Sequence, residues 1–519
     1  GAFVLVKLIG LITNLALFHR WGWELPPSRS IPAGPMLLPV AMAGGLVVSL
    51  LARWAPTIRG HGIPEAMEAI LTNQSRIAPR TAVAKPVSAA VAIGTGGPFG
   101  AEGPVIVTGG ALGSLLGQVL PFSPAERKVL LCAGAAAGMA ATFGAPLAAV
   151  VLAVELLLFE FSLRALIPMI VATSIAGGMH SWMFEQGPLF AVPSHEFIGL
   201  GSMPTFAVLG IACGVLAAVI SKGLFLVESG FRRLPLDEFW HPVLGAAGFA
   251  VVGMVVPGAL GVGYDEIGDV LGGHLAFATM AALLVGKLLA WWLALGSGTS
   301  GGTLAPLLLV GGSFGAMFGH LALEVLPGPQ PSISAFGMVA MAATFAAATR
   351  TPFTSIVFVF ELTRDYDAVL PLMGATALAV VVTRMLLHES LMTEKLERRG
   401  LNVDNTYEAD PTRMTTVEAV MSAPVHTIDA AATVEDARTT MVDGAHSGYP
   451  IVDDDDRCVG MLTRSDLLSS GSVPGNAPVL DLASTDIVTI DPDAPVRAAL
   501  GLMVTEDVEH LPVVRDDRL

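Results

Sequence analysis

Gly94–Gly117 reads GTGGPFGAEGPVIVTGGALGSLLG, and Gly296–Gly319 reads GSGTSGGTLAPLLLVGGSFGAMFG. At a constant offset of 202, eight of the 24 positions are identical, seven glycines and one proline, Pro104 with Pro306. The order holds further along, with the offset rising from 202 to 206. AATF at Ala140–Phe143 recurs at Ala342–Phe345. APLAAVVLAVEL (Ala145–Leu156) parallels TPFTSIVFVFEL (Thr351–Leu362), matching Pro146 and Glu155 to Pro352 and Glu361. Glycine-rich apolar segments resemble one another by composition, but order kept over about 60 residues points to duplication. Two homologous halves, about 1–190 and 197–400, are expected, with a site at their interface. Identity by itself leaves a parallel and an inverted repeat open.

Composition places these halves in a membrane. The 519 residues are 53% hydrophobic and 14% charged, with a mean hydropathy of +0.67; a soluble domain carries roughly 25% charged residues. A soluble enzyme, a disordered chain and a nucleic-acid binder are excluded. Charge-free stretches long enough to span are Ser30–Ala52, Gly103–Pro124, Val129–Val154, Ala165–Phe184, Phe197–Ser221, Phe239–Tyr264 and Val325–Thr349. Leu288–Leu323 is too long for one span and is split by glycines. Pro86–Ala101, Val270–Gly286, Thr351–Phe360 and Ala368–Thr383 are too short. Short Gly/Pro-interrupted segments among full ones predict helices that stop at membrane depth, where they line a cavity. Cys132, Cys213 and Cys458 lie far apart and imply neither a disulfide framework nor a metal site.

The net charge of −16 is uneven: residues 401–519 hold 7 Lys+Arg against 22 Asp+Glu, or −15 of the total. A nearly neutral membrane body therefore carries an acidic, water-soluble tail. The tail has its own repeat at an offset of 62. Thr427-Ile428-Asp429 recurs as Thr489-Ile490-Asp491, Met441 meets Met503, Pro450-Ile451-Val452 meets Pro512-Val513-Val514, and Asp454 meets Asp516. Each unit reads as strand, helix (Ala431–Val442 and Ala494–Val504), strand. The boundaries expected are a body over 1–400, a linker over 401–415, and units over 416–470 and 478–519, the second truncated. Asp453–Asp456 reads as a solvated turn. The chain starts inside an apolar run without Met, so the native N-terminus is expected to lie upstream.

Three clusters in the body place glycine just before proline and an apolar run: Gly60-His61-Gly62-Ile63-Pro64-Glu65, Gly100-Ala101-Glu102-Gly103-Pro104 and Gly302-Thr303-Leu304-Ala305-Pro306. Glycine frees the backbone and proline suits the first helical turn. Each cluster is a helix N-terminus, whose unpaired N–H groups and positive dipole end attract an anion. Together they predict a dehydrated anion pathway. Glu102 stands at one of these N-termini among apolar residues, and an ionisable group there is functional by default. Its carboxylate could occupy an anion site; protonated, it would vacate the site and carry a proton. The alternative is a cap at the membrane surface. Its repeat partner is Leu304.

These residues resemble the CLC family of chloride channels and proton/chloride exchangers. GHGIP, GAEGP and GTLAP stand in the order and spacing of that family's three anion-site motifs, and GAPLAAVVLAVEL and FELTRDYDAVLPLM are family-like. The tail resembles a CBS pair. The resemblance implies a mainly helical, polytopic membrane domain of two inverted-repeat halves with broken helices, plus a cytosolic α/β CBS-pair domain. It implies a homodimer with one pore per subunit in the plasma membrane, voltage gating, and chloride as the transported ion. Glu102 becomes the gating glutamate and Lys85 a matching basic residue. Gly60, His61, Gly62, Ile63, Ala101, Gly103, Thr303, Leu304, Ala305 and Met392 become the anion-binding positions. An adenine nucleotide is implied at Thr427, Gly448, Tyr449, Pro450, Thr463 and Asp466, with a plain dimerisation module as the alternative.

The departures bear on mechanism. The central serine of the family is His61, which either donates to the anion or faces away while the backbone coordinates. The third-motif phenylalanine is Leu304, and the pore tyrosine falls at Met392, so a side-chain donor is lost. The internal proton glutamate is Leu156, which carries no proton. Glu155, matched by Glu361, reads as a structural helix-end residue. Glu160 is a substitute proton carrier, on a path with Glu102. The missing relay leans towards a passive channel; the retained Glu102 keeps proton-coupled exchange open through water. A CBS-containing magnesium transporter would need carboxylate or carbonyl rings in the pore. No nucleophile–base constellation suggests an enzyme. Gly296–Gly301 fits G-x-G-x-x-G but follows a membrane span rather than a strand, so no dinucleotide fold is expected.

Overall fold

A computed structural model describes residues 1–158, 163–184, 187–193, 200–273, 275–326, 330–398, 415–444, 446–469, 473–515 and 518. Glu160, the linker 401–414, and Asp516 of the tail repeat lie outside the described residues. The chain divides into a body, Gly1–Asn405, and a tail, Thr406–Leu519, each described by itself.

The body opens with α1 (Ala2–Phe18), α2 (Leu37–Trp54), α3 (Ile63–Thr72), α4 (Pro79–Gly94), α5 (Glu102–Val119), α6 (Pro124–Phe143), α7 (Pro146–Leu152) and α8 (Leu163–Met183). It continues with α9 (Met203–Arg232), α10 (His241–Val255), α11 (Tyr264–Leu271), α12 (Phe277–Gly296), α13 (Leu304–Val325), α14 (Ile333–Thr349), α15 (Pro352–Thr363) and α16 (Val369–Leu386), and closes with the short α17 (Glu394–Glu397). The second set repeats the first helix for helix, and the packing repeats with it. α5 lies on α6 as α13 lies on α14, and α6 on α8 as α14 on α16. Repeat partners also meet each other, α2 with α10 and α7 with α15. Among the described residues, six helices are long and apolar enough to cross a membrane: α2, α8, α9, α12, α13 and α16. The chain is an integral membrane protein.

The repeated glycines have a packing cause. A side chain at Gly109 or Gly113 would collide with the α6 backbone, and one at Gly311 or Gly315 with α14. Lipid supplies no hydrophobic drive between helices, so close backbone approach through small residues holds such pairs together. Both pairs of glycines stand at the offset of 202, because both halves need the same approach.

Two reciprocal contacts show that the repeat is inverted. The Glu155 carboxylate accepts hydrogen bonds from the N–H groups of Phe353 (3.1 Å) and Thr354 (2.8 Å) and from the Thr354 hydroxyl (2.6 Å), at the start of α15. Glu361 accepts from the N–H groups of Leu147 (3.1 Å) and Ala148 (2.7 Å), at the start of α7. Each half's glutamate thus serves the exposed N–H groups of the other half's helix, as two antiparallel helices about a two-fold axis require. The structural reading of Glu155 is what this geometry supports. Glu155→Ala is expected to leave these donors unmet and to lower stability by about 2–4 kcal/mol. The check is the thermal unfolding midpoint in detergent, which should fall while Glu155→Gln, keeping one acceptor, recovers part of the loss.

The structure corrects several span boundaries. Val129–Val154 is not one span: α6 ends at Phe143, Gly144 takes φ 65°, and α7 starts two residues on. Its 26 charge-free residues hid a break that only the left-handed glycine and Pro146 mark. Ala368–Thr383 is not short, since α16 extends to Leu386 and takes in Arg384. The helix within the Pro86–Ala101 stretch runs Pro79–Gly94, and that within Val325–Thr349 begins later, at Ile333. Leu288–Leu323 is split as expected, into α12 and α13. Ala153–Leu158 continues α7 as a π-helical turn that its partner α15 lacks.

In the tail, β1 (Ile428–Asp429) pairs parallel with β2 (Gly448–Val452), and β2 antiparallel with β3 (Cys458–Thr463). Ile428 pairs with Ile451, and Ile490 with Val513 62 residues on. The helices run Val434–Asp443 and Val496–Thr505, starting later than expected. The first is set by the Thr433–Asp436 capping box, whose donors hold the exposed Asp436 carboxyl below the usual carboxylate range.

Candidate anion site

The three Gly/Pro clusters begin α3, α5 and α13, and backbone pairing brings them together. Gly302 N–H donates to the Gly100 carbonyl at 2.9 Å, and Gly100 N–H to the Gly302 carbonyl at 3.3 Å. These two are each other's repeat partners, so the local two-fold passes between them. Gly301 N–H donates to the Gly60 carbonyl at 3.4 Å, which ties the first cluster to the third. Gly103 lies against the His61 carbonyl and the Gly302 backbone. A Cβ at Gly302 would stand 2.6 Å from the Gly100 carbonyl and 2.9 Å from Glu102 Oε2, so only glycine fits there.

Glu102 is 0% exposed. A surface cap is therefore not its setting. Its carboxylate lies where helix N-termini from the two halves meet. The N–H groups of Glu102 itself, on α5, and of Ala305, on α13, face it. Oε1 accepts a 2.5 Å hydrogen bond from the Tyr264 hydroxyl, while Oε2 has no hydrogen-bond partner. A buried carboxylate is in effect an anion lodged in a cradle of N–H groups.

The remaining predicted positions gather unevenly. Gly62 caps α3 at φ 100°, and its N–H donates to Glu65 at 2.7 Å. Glu65 in turn lies 3.8 Å from Lys395 of α17. Lys85 Nζ donates to the carbonyls of Ile58 (2.7 Å) and Gly60 (2.8 Å), so this lysine shapes the first loop rather than pairing with Glu102. His61 is buried with an unpartnered Nδ1. Thr303 is buried with an unpartnered hydroxyl at the N-cap of α13. Ile63, Ala101, Leu304 and Ala305 are buried and apolar. Met392 is buried in a turn held by the Leu391 N–H on the Ala348 carbonyl, and its thioether donates nothing. Leu156 is buried in the π-helical turn, which packs on α3 and α6. A cavity of about 850 Å³ runs to Gly60, lined by both signs of charge, with Arg59, Arg232 and Lys395 in ion pairs with Glu238, Glu228 and Glu65 of the same lining.

Sequence reading missed Tyr264 and Lys287. The signal was present: Gly261–Glu266 reads GVGYDE and repeats the G-x-G-x-x-E of Gly60–Glu65 (GHGIPE) at an offset of 201. Lys287 follows Lys85 at 202.

In the tail, Thr463 and Asp466 bond each other in a helix-start box, the Thr463 N–H and hydroxyl donating to Asp466 at 2.8 and 2.7 Å. Tyr449 packs in the core of its unit, Pro450 is buried beside it, Gly448 is half-buried and Thr427 is exposed.

Comparison with known proteins agrees with this geometry. The chain is 31% identical to the H(+)/Cl(-) exchange transporter ClcA of Vibrio campbellii, over 70% of this chain and 83% of that protein. It is 27% identical to chloride channel protein CLC-f of Arabidopsis thaliana, over 98% of this chain and 75% of that one. A solved slow cyanobacterial Cl-/H+ antiporter superposes with a TM-score of 0.65 at 26% identity, covering 77% of this chain and 96% of its own. Residues 417–472 and 479–519 match the CBS domain. With residues 43–384 matching the voltage gated chloride channel model over its three helix N-termini and buried glutamate, the chain belongs to that family.

Proposed function

We propose that this chain carries chloride across the membrane along a pathway gated by Glu102. The observation that carries the reading is the Glu102 carboxylate, fully buried among N–H groups of α5 and α13 with Oε2 unpaired. An anion replaces it when it leaves. The unpartnered Nδ1 of His61 and hydroxyl of Thr303 supply donors in place of the lost serine and tyrosine.

The flux is proposed to be passive, because Leu156 is a buried apolar side chain that carries no proton. Proton-coupled exchange is the second reading. It is supported by the naming of the Vibrio and cyanobacterial relatives and by the acids Glu65 and Glu68 lining the cavity. Glu160 is proposed as the proton carrier for that case. A magnesium pathway fits less well, since the site around Glu102 is built from helix N-termini, whose positive ends favour anions over cations. The protein is proposed to work as a homodimer in lipid, in the plasma membrane, with the tail in the cytosol, where Arg398-Arg399 suits the cytoplasmic side. The burial of Tyr449 and the mutual engagement of Thr463 and Asp466 favour a dimerisation role for the tail over adenine nucleotide binding. Binding of ATP to the full chain would reverse that order.

The test is flux from proteoliposomes under a chloride gradient at equal pH, recording chloride and protons together. Chloride efflux without proton movement supports the passive reading, and uphill proton movement the exchanger. Absence of chloride flux both in the full chain and in a chain ending at Gly400 would sink the proposal.

A further inference from the structure

The loop before α11 is the second-half counterpart of the first anion loop. GHGIPE and GVGYDE share glycine, glycine and glutamate at the same spacing. Gly62 and Gly263 both take a positive φ, 100° and 85°, immediately before their helices. Lys85 grips the carbonyls of Ile58 and Gly60; Lys287 grips those of Gly261 (2.8 Å) and Val262 (3.4 Å). The other three positions differ, His61, Ile63 and Pro64 against Val262, Tyr264 and Asp265. Where the first loop has Ile63, the second has Tyr264. Its hydroxyl crosses to the other half and donates to Glu102 Oε1 at 2.5 Å. The ring is held edge-on by Phe143 and Phe190, with centroids 6.1 and 6.2 Å away, which aims the hydroxyl. Among the described residues this is the only side-chain hydrogen bond on that carboxylate.

We propose that Tyr264 is a positioning residue that latches Glu102 in the anion site, the second-half loop having become the holder of the gate. This rests on the reading of Glu102 as the gate. Chloride entering the site must displace a carboxylate, and the carboxylate leaves only after its bond from Tyr264 breaks. The latch therefore sets how much chloride is needed to open the path.

The test is chloride efflux from proteoliposomes as a function of chloride concentration, for wild type, Tyr264→Phe, Glu102→Ala and the double variant. Tyr264→Phe keeps the ring and its two edge contacts and removes only the donor. Loss of a hydrogen bond to a charged group is expected to lower half-saturating chloride about tenfold or more, with the maximal rate kept. In the Glu102→Ala background the same substitution should change nothing beyond twofold. A Tyr264→Phe protein identical to wild type, while Glu102→Ala differs, overturns the latch and leaves the gate standing. An equal change in both backgrounds also overturns it, because Tyr264 would then act on the fold. If Glu102→Ala itself matches wild type, the gate reading fails and the latch with it. Should Tyr264→Phe fail to insert, Phe190→Leu loosens the clamp without touching the hydroxyl. It should move half-saturation in the same direction by less, and no movement overturns the proposal.

Discussion

Glu102→Gln is expected to abolish any proton movement coupled to chloride while chloride flux persists, and Glu102→Ala to raise that flux about tenfold to a hundredfold. Glutamine keeps the shape of a protonated carboxyl but cannot take up or release a proton. Alanine also empties the site of the side chain that fills it. The size follows from what holds the carboxylate: one charge-assisted bond from Tyr264, worth about 1.5–3 kcal/mol, plus two helix N-termini at about 0.3–1 kcal/mol each. Part of this hold is offset by the desolvation of a buried charge, so the net lies near the value of the tyrosine bond. Flux should also lose its dependence on pH in both variants, since the titrating group is gone. The measurement is chloride efflux with simultaneous proton recording across a range of pH. Coupled, pH-dependent flux surviving in Glu102→Gln would remove Glu102 from the mechanism.

The sequence made most of the site legible because its requirements are steric. A helix that lets another backbone touch it must have glycine there, so Gly109, Gly113, Gly311 and Gly315 appear in register. A helix that starts inside the protein favours proline in its first turn, so the three N-termini could be read directly. The inversion of the repeat was not legible. It depends on Glu155 meeting Thr354 and Glu361 meeting Ala148, pairings about 200 residues apart that no local pattern encodes. Tyr264 was missed for the same reason: its partner is 162 residues away in the other half. Its loop was recoverable once the glycine spacing was compared at an offset of 201 instead of 202. The break at Gly144 stayed hidden because both sides of it are equally apolar.

Lys85→Met and Lys287→Met are expected to cost similar stability and to move chloride affinity in opposite directions. Both lysines are 0% exposed, and each satisfies two loop carbonyls with one ammonium group. Methionine fills much of the volume but leaves both carbonyls unpaired, at about 1–3 kcal/mol each. The unfolding midpoints should therefore fall together. The functional outcomes separate because the two loops have diverged. Lys85 shapes the loop of Gly60, His61 and Gly62, which receives the anion, and its charge attracts that anion. Losing it should raise half-saturating chloride about tenfold, the equivalent of ~1.4 kcal/mol. Lys287 shapes the loop that aims Tyr264. Losing it loosens the hold on the gate and should lower half-saturating chloride, as Tyr264→Phe does. Half-saturation measured in the same proteoliposome assay decides the matter. Opposite shifts would mean that an ancestral pair of equivalent loops has split into one that binds the ion and one that restrains the gate. Shifts of the same sign would mean that both lysines serve the fold alone, and that the asymmetry of the halves has no functional meaning at this level.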